Sequence, residues 1–171
     1  MKRIGLLSDT HGFLPERLFS FFENVDEIWH AGDIGTLELA DKLAEFKPCK
    51  AVYGNIDGQD IRTVYPMHQR IMCEEVNVWM THIGGYPGRY ERYVKPDIYR
   101  NPPNLFISGH SHILKVINDN KLKLLHMNPG AAGYKGFHKK CTALRFVIDG
   151  KNIRDLDVWE MDRTEVVQES R

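Results

Sequence analysis

Five short polar segments, each directly after an apolar run, constrain the fold of this chain more than any other feature. The apolar runs are predicted strands, and they are Ile4 to Leu7, Ile28 to Ala31, Ala51 to Tyr53, Val76 to Met80 and Leu105 to Ile107. The polar segments that follow them are Asp9-Thr10-His11, Gly32-Asp33, Gly54-Asn55-Ile56-Asp57, Thr81-His82 and Gly109-His110-Ser111-His112. Because α/β proteins place their sites at the carboxyl ends of strands, we expect these segments to meet at one edge.

The residue types in these segments predict a site for two metal ions. Seven side chains offer carboxylate oxygen, amide oxygen or imidazole nitrogen, and they are Asp9, His11, Asp33, Asn55, His82, His110 and His112. One catalytic zinc takes about three protein ligands, whereas two ions about 3.5–4 Å apart that share a bridging carboxylate use all seven. A donor set without thiolate suits Mn, Fe, Ni or Zn, and we take Mn as the leading candidate.

The spacing of the ligand residues within each segment supports convergence of their side chains on a metal ion. In an extended backbone, the i, i+2 spacing of Asp9 and His11 places both side chains on one side, and the same holds for His110 and His112. Glycines at 32, 54 and 109 precede ligands, where a sharp turn beside a metal gains from the absence of Cβ. A single D-x-H or G-D is common in ordinary turns, so the prediction rests on the five segments together.

The motif set D-x-H, G-D, G-N-x-D/E, a single His and G-H-x-H resembles that of the calcineurin-like metallophosphoesterases. The resemblance covers Ile4 to about Gly130 and is greatest to the small prokaryotic phosphodiesterases, which share their fold with a retromer subunit. It implies that one metal is held by Asp9, His11, Asp33 and His112. It implies that the second is held by Asp33, Asn55, His82 and His110.

The resemblance implies a phosphodiesterase in which a hydroxide between the two ions attacks phosphorus in line with the leaving oxygen. Such a water has its pKa lowered from about 15.7 to about 7. The residues expected to serve catalysis are Asp33, Asn55, His110 and Asp57. A phosphomonoesterase, or an interaction scaffold of the same fold, is the alternative; the complete ligand set favours an enzyme, because buried polar ligands without an ion are costly.

Two segments leave alternatives open. Many family members carry G-N-H-D/E and are thought to use that His on the leaving group, but this chain has Ile56. Asp57 is expected either to orient a ligand or the loop backbone, or to form an Asx turn before Gly58. The tract 84–90 either shapes a substrate loop in which Arg89 meets a phosphate, or leads into a helix over about 89–99.

The remaining sequence predicts one domain over residues 1–171, a four-layer α/β/β/α sandwich of two mixed sheets flanked by helices. A helix near Leu14 to Phe22 and another over Leu37 to Phe46 follow the first two strands. Further strands are predicted at about 68–74, 76–81, 113–118, 122–127, 141–149 and 152–160. The tail after about Met161 is expected to be frayed.

Composition predicts a cytoplasmic protein, and the resemblance implies a small or medium phosphate-ester substrate. Lys plus Arg and Asp plus Glu both number 23, so no net charge favours nucleic acid or an anionic membrane. No apolar run approaches a membrane span, no signal peptide is expected, and the three cysteines are read as free thiols. Exposed strand edges leave a homodimer open. Four histidines match no ligand position and are expected to be ordinary strand or surface residues: His30, His68, His126 and His138.

Overall fold

The computed structural model describes residues 1–171 and contains two five-stranded sheets that lie face to face. The first sheet runs, in spatial order, Asn152–Asp162 (β12), Lys140–Asp149 (β11), Lys2–Leu7 (β1), Glu27–His30 (β2) and Cys49–Ala51 (β3). The second runs His68–Cys73 (β4), Val76–Thr81 (β5), Leu105–Ile107 (β8), Leu124–Pro129 (β10) and Leu114–Asp119 (β9). Each sheet combines parallel and antiparallel pairs, so both are mixed.

Helices cover the outer face of each sheet. Glu16–Phe21 (α1), Leu37–Phe46 (α2) and Gln59–Val64 (α3) bury Leu18, Leu43 and Ile61 against the first sheet. The second sheet is covered by Lys95–Arg100 (α4), which buries Ile98 against Trp79 and Phe106. The predicted four-layer sandwich of two mixed sheets is therefore confirmed.

The main core lies between the two sheets. Strands of both sheets contribute fully buried apolar side chains to it, among them Leu6, Val78, Ile107 and Leu144. Strands buried on both faces have nearly continuous apolar sequences, which is why the runs before the polar segments were readable as strands. This rigid core fixes the strand ends from which the polar segments emerge.

Three local expectations were wrong, and one helix was missed. Residues 89–99 are not one helix, because Gly85–Tyr86 (β6) pairs with Arg89–Tyr90 (β7) and α4 starts only at Lys95. The tail is not frayed: Arg163–Glu169 forms helix α5, which buries Val166 beside Cys141. Strand β3 ends at Ala51 rather than Tyr53, and helix α3 was not predicted. No helix of the protein is both long enough and apolar enough to cross a membrane.

Candidate metal centre

The seven predicted ligands gather at the carboxyl ends of strands from both sheets and form two groups. Asp9, His11 and His112 form one group, and Asp33, His82 and His110 form the other; within each group, the candidate ligand atoms lie within 4.8 Å of one another. Asn55 joins the second group, because its Oδ1 lies 3.1 Å from Nε2 of His82 and 3.0 Å from Nδ1 of His110. The fold thus brings all seven side chains together.

Each carboxylate of the site uses one oxygen to fix the loops and leaves the other facing the histidines. Oδ2 of Asp9 accepts hydrogen bonds from the Ser8 hydroxyl and from the backbone N–H of His110. Oδ1 of Asp33 accepts the N–H of Ile56, while its Oδ2 lies 3.2 Å from Nε2 of His82 and 3.5 Å from Nε2 of His11. A single oxygen of Asp33 therefore faces both groups.

The backbone of the ligand loops differs from the extended form that the spacing predicted. Five ligand residues have left-handed backbone, with φ of 54° at Asp9, 49° at His11, 56° at Asp33, 69° at His110 and 60° at His112. Non-glycine residues in this region carry strain of the order of 1–2 kcal/mol, which the surrounding structure must hold. The prediction that i, i+2 pairs converge by extension was therefore wrong, and tight left-handed turns place the rings instead.

Two glycines make room for the carboxylates. A Cβ at Gly54 would lie 2.0 Å from Oδ1 of Asp33, and a Cβ at Gly109 would lie 2.2 Å from Oγ of Ser8. Real Cβ atoms do not approach other atoms so closely, so any larger residue would displace a ligand or its support. The glycines before the ligands thus serve close approach between loops.

The donor atoms fit a pair of divalent cations. Oδ1 of Asp9 and Nε2 of His11 are buried without any hydrogen-bond partner, which is rare in folded proteins. The ring of His82 donates its Nδ1–H to the carbonyl of Ala31 at 2.7 Å, so in the neutral ring Nε2 presents a lone pair to the oxygens of Asp33 and Asn55. Only a cation or an added proton makes that arrangement favourable.

The electrostatics of the ligand set also favour bound cations. Burial raises the pKa of Asp9, but the rings of His11 and His112 outweigh this and hold that pKa well below its usual range. Burial lowers the pKa of His82, yet the hydrogen bond and charge of Asp33 and the charge of Asp9 raise it overall. The carboxylates therefore stay ionised and attract positive charge to the rings.

The comparison with known proteins places this geometry in a family. The family profile of the calcineurin-like phosphoesterase superfamily domain matches residues 1–151. The chain belongs to this superfamily. A probable metallophosphoesterase of Methanocaldococcus jannaschii is 29% identical over 134 residues, covering 75% of this chain and 67% of the relative. A phosphodiesterase of the same organism is 29% identical over 154 residues, covering 77% and 86%.

The fold of this calcineurin-like domain also occurs in solved structures. Vps29 from Entamoeba histolytica, solved as a complex with Zn²⁺, superimposes with a TM-score of 0.72 at 14% sequence identity, covering 94% of this chain and 99% of that one. At this identity, the likeness shows the fold alone.

Next to the calcineurin-like ligand set, the Asp57 carboxylate binds backbone N–H groups and does not face the two groups of metal ligands. Its carboxylate is buried and accepts N–H bonds from Gly54 at 2.8 Å, Ile34 at 3.1 Å and Gly35 at 2.8 Å. These bonds tie the Asn55 loop to the Asp33 loop. Ile56 beside it is 47% exposed, and its side chain has no acid–base chemistry to offer.

Two histidines outside the motifs support this calcineurin-like site, and sequence reasoning did not assign them a role. His30 is buried beneath it: Nδ1 accepts the N–H of Gly32, and Nε2 lies 2.9 Å from Oγ1 of Thr10. His138 lies beside His112, with 3.2 Å between the two Nδ1 atoms. Burial lowers the pKa of His30 to about 4, so this ring stays neutral and holds its two loops at neutral pH.

The predicted substrate loop at 84–90 is a short hairpin. Gly88 has φ of +85° behind Pro87, as a type II turn requires, and Arg89 is exposed on β7. The Arg89 side chain is exposed, so a contact between it and a phosphate stays a prediction.

Proposed function

We propose that this protein is a phosphodiesterase that depends on two divalent metal ions and acts on a small or medium phosphate ester. The supporting observation is the convergence of seven oxygen and nitrogen ligands in two adjacent groups, with buried polar atoms that no protein group satisfies. The relative named phosphodiesterase supports the reaction class. Manganese is the ion we propose first, and the oxygen and imidazole nitrogen ligands also suit Fe, Ni and Zn.

The proposed assignment of residues follows the two groups. Asp9, His11 and His112 would hold one ion, and His82, His110 and Asn55 the other, with Asp33 shared between them. When bound, such ions supply a water with a lowered pKa and neutralise charge on the phosphoryl oxygens. The chain's own contribution is to keep Oδ1 of Asp9 and Oδ2 of Asp33 free and to orient the rings.

This chain lacks the side chain that many family members are thought to use to protonate the leaving oxygen. The position that carries His in many family members is Ile56, so the leaving group receives no proton from that side chain. Removal of a general acid costs typically 10²–10⁴ in rate, and least for a leaving group that is stable as an anion. The proposed enzyme should therefore favour esters whose leaving group is already acidic.

The test is hydrolysis of bis-p-nitrophenyl phosphate beside p-nitrophenyl phosphate. The protein is stripped of metal, assayed, and then assayed again with Mn²⁺; an Asp9→Asn variant serves as the matched control for contaminating activity. Metal-dependent turnover that favours the diester and is lost in Asp9→Asn is the expected result. Preference for the monoester would make the protein a phosphomonoesterase.

Metal binding alone does not decide the matter. Bound metal does not by itself separate an enzyme from an interaction scaffold, because a ligand set can hold ions without turning over an ester. The decisive comparison is turnover with the metal content measured on the same sample. Two bound ions with no turnover of either ester would contradict the proposed activity and favour the scaffold.

A further inference from the structure

A cleft lies beside the metal centre, between the β6–β7 hairpin and the outer face of the second sheet. It has a cavity volume of about 200 Å³ and opens next to His110. We call it the hairpin cleft and define it by Tyr86, His110, Ile113, Lys115, His126 and Asn128. Ser108 ties the hairpin to the sheet through its hydroxyl, which donates to the carbonyl of Gly85 at 3.0 Å.

Strand pairing places a set of polar side chains on the cleft side of the sheet. Lys115 on β9 pairs with Asn128 on β10, and Ile117 pairs with His126 in the same register. Because alternate residues share a face, His126, Asn128 and Lys115 all point to the outer face. This is the face on which the hairpin packs, so the three side chains line one wall and the floor of the cleft.

His126 brings an unsatisfied hydrogen-bond acceptor to the hairpin cleft. The residue is 1% exposed, and its Nδ1 lies 3.1 Å from the carbonyl oxygen of Phe106. A carbonyl can only accept, so Nδ1 carries the proton and Nε2 of the neutral ring is an acceptor. That Nε2 is buried and has no partner. Burial, with a contribution from Lys115, lowers the pKa of His126 to about 4, which keeps the ring neutral.

The walls of the hairpin cleft add a fixed cation and an apolar edge. Nζ of Lys115 lies 3.7 Å from the centre of the Tyr86 ring, a cation–π contact that holds the ammonium at the cleft wall. Ile113 at the mouth is 61% exposed. Asn128 has no free amide donor, because its Nδ2 donates to Gly109 and Ser111. The cleft therefore combines the Nε2 acceptor of His126, the Lys115 cation, the exposed Glu91 carboxylate and an apolar lip.

We infer that the hairpin cleft binds the alcohol part of the phosphate ester and selects a small group with a hydroxyl or amino donor for Nε2 of His126. The inference rests on the proposed function, because the ester phosphate would sit at the metal centre beside His110. Pockets for drug-sized ligands measure about 300–1,000 Å³, so this cleft suits a glycerol- or pentose-sized group.

The test compares two ligands that differ only in hydroxyl groups, glycerol 3-phosphate and propyl phosphate. Their dissociation constants are measured by calorimetry on the Zn²⁺-loaded protein, which requires no turnover. We expect glycerol 3-phosphate to bind about tenfold more tightly, the effect of one hydrogen bond to a buried acceptor. In nitrogen-15 spectra, the signal of Nε2 of His126 should shift with glycerol 3-phosphate and stay in place with propyl phosphate.

Three variants test the location. His126→Phe removes the acceptor, and Ile113→Trp fills the mouth from an exposed position where folding is not at risk; both should abolish the tenfold preference. His68→Phe is the matched control, since that ring lies outside the cleft, and it should keep the preference. Equal affinities in the wild type, or a preference that survives Ile113→Trp, would overturn the inference even if His126→Phe fails to fold.

The outcome separates this inference from the proposed activity. A binding preference without turnover of any ester supports the cleft and contradicts the phosphodiesterase. Turnover without a binding preference supports the phosphodiesterase and rules out selection by the hairpin cleft, in which case a bound water satisfies Nε2 of His126.

Discussion

Nδ1 of His138 lies 3.2 Å from Nδ1 of His112, and this contact determines which nitrogen of His112 is free to bind metal. Nε2 of His138 lies 2.8 Å from the carbonyl oxygen of Gly133 and must donate to it, so Nδ1 of a neutral His138 is an acceptor. His112 then donates its own Nδ1–H, and its Nε2 keeps a lone pair. That Nε2 faces Oδ1 of Asp9 at 3.1 Å.

Replacement of His138 should therefore weaken metal binding without touching a ligand. In His138→Phe, the ring of His112 loses its acceptor and can take the wrong tautomer, so we expect the affinity for Mn²⁺ to fall about 10–100-fold. The affinity is measured by titration against a chelator of known strength. His68→Phe is the control, and equal affinities in the two variants would show that His138 does not position His112.

Asp33→Asn should lower the occupancy of both metal sites. Oδ2 of Asp33 faces rings of both groups, and an amide nitrogen in its place would repel both ions. Asp9→Asn should mainly affect the group of His11 and His112. Metal content is read by atomic absorption after dialysis. One tightly held ion in Asp33→Asn would contradict a shared role for Asp33.

The ligands could be predicted from the sequence because their signal is local. Each ligand follows a buried strand, and the strand ends in an α/β sheet meet at one edge regardless of the conformation of the loops. His138 has no such signal: it lies 26 residues after His112, outside any motif, and only the return of the chain into β11 brings the two rings together. Its role depends on tertiary packing.

Backbone geometry was the least predictable part. The sequence Pro87-Gly88 indicated a turn, yet the following residues have helix-compatible composition, and the pairing of Gly85 with Tyr90 prevailed. The left-handed backbone at Asp9 and His11 could not be inferred either, because the loop hydrogen bonds that hold it come from Gly32 and Asp33, far along the chain. Such tertiary contacts outweigh the local conformational propensity of the residues.

Ile56→His should raise activity on esters with poor leaving groups. The side chain is 47% exposed next to Asn55, so an imidazole fits there without disturbing the core. We expect a gain of about tenfold or more for alkyl esters and little change for p-nitrophenyl esters, whose leaving group needs no proton. Rates of methyl p-nitrophenyl phosphate and dimethyl phosphate are compared. An equal change for both would show that position 56 is not placed for acid chemistry.

Asp57→Ala should destabilise the protein as well as its metal centre. Three backbone N–H groups lose their acceptor, and two of these bonds are fully buried. Buried donors without partners cost about 1–3 kcal/mol each, so we expect the free energy of unfolding to drop by about 3 kcal/mol or more. Urea unfolding with chelator present measures this. Asp57→Asn, which keeps one acceptor oxygen, should lose less; equal losses would contradict the proposed role of these bonds.

Stability should fall as the pH drops from 7 to 5, and His126 should carry a distinct share of the loss. The folded pKa is about 4, whereas the unfolded value is about 6.5, so below pH 6.5 the unfolded chain binds a proton that the folded protein does not. Between pH 7 and 5 this lowers the free energy of unfolding by about 2 kcal/mol. In His126→Phe, urea unfolding at the two pH values should show a loss smaller by that amount. An identical loss in wild type and variant would mean that His126 is protonated in the folded protein at pH 5.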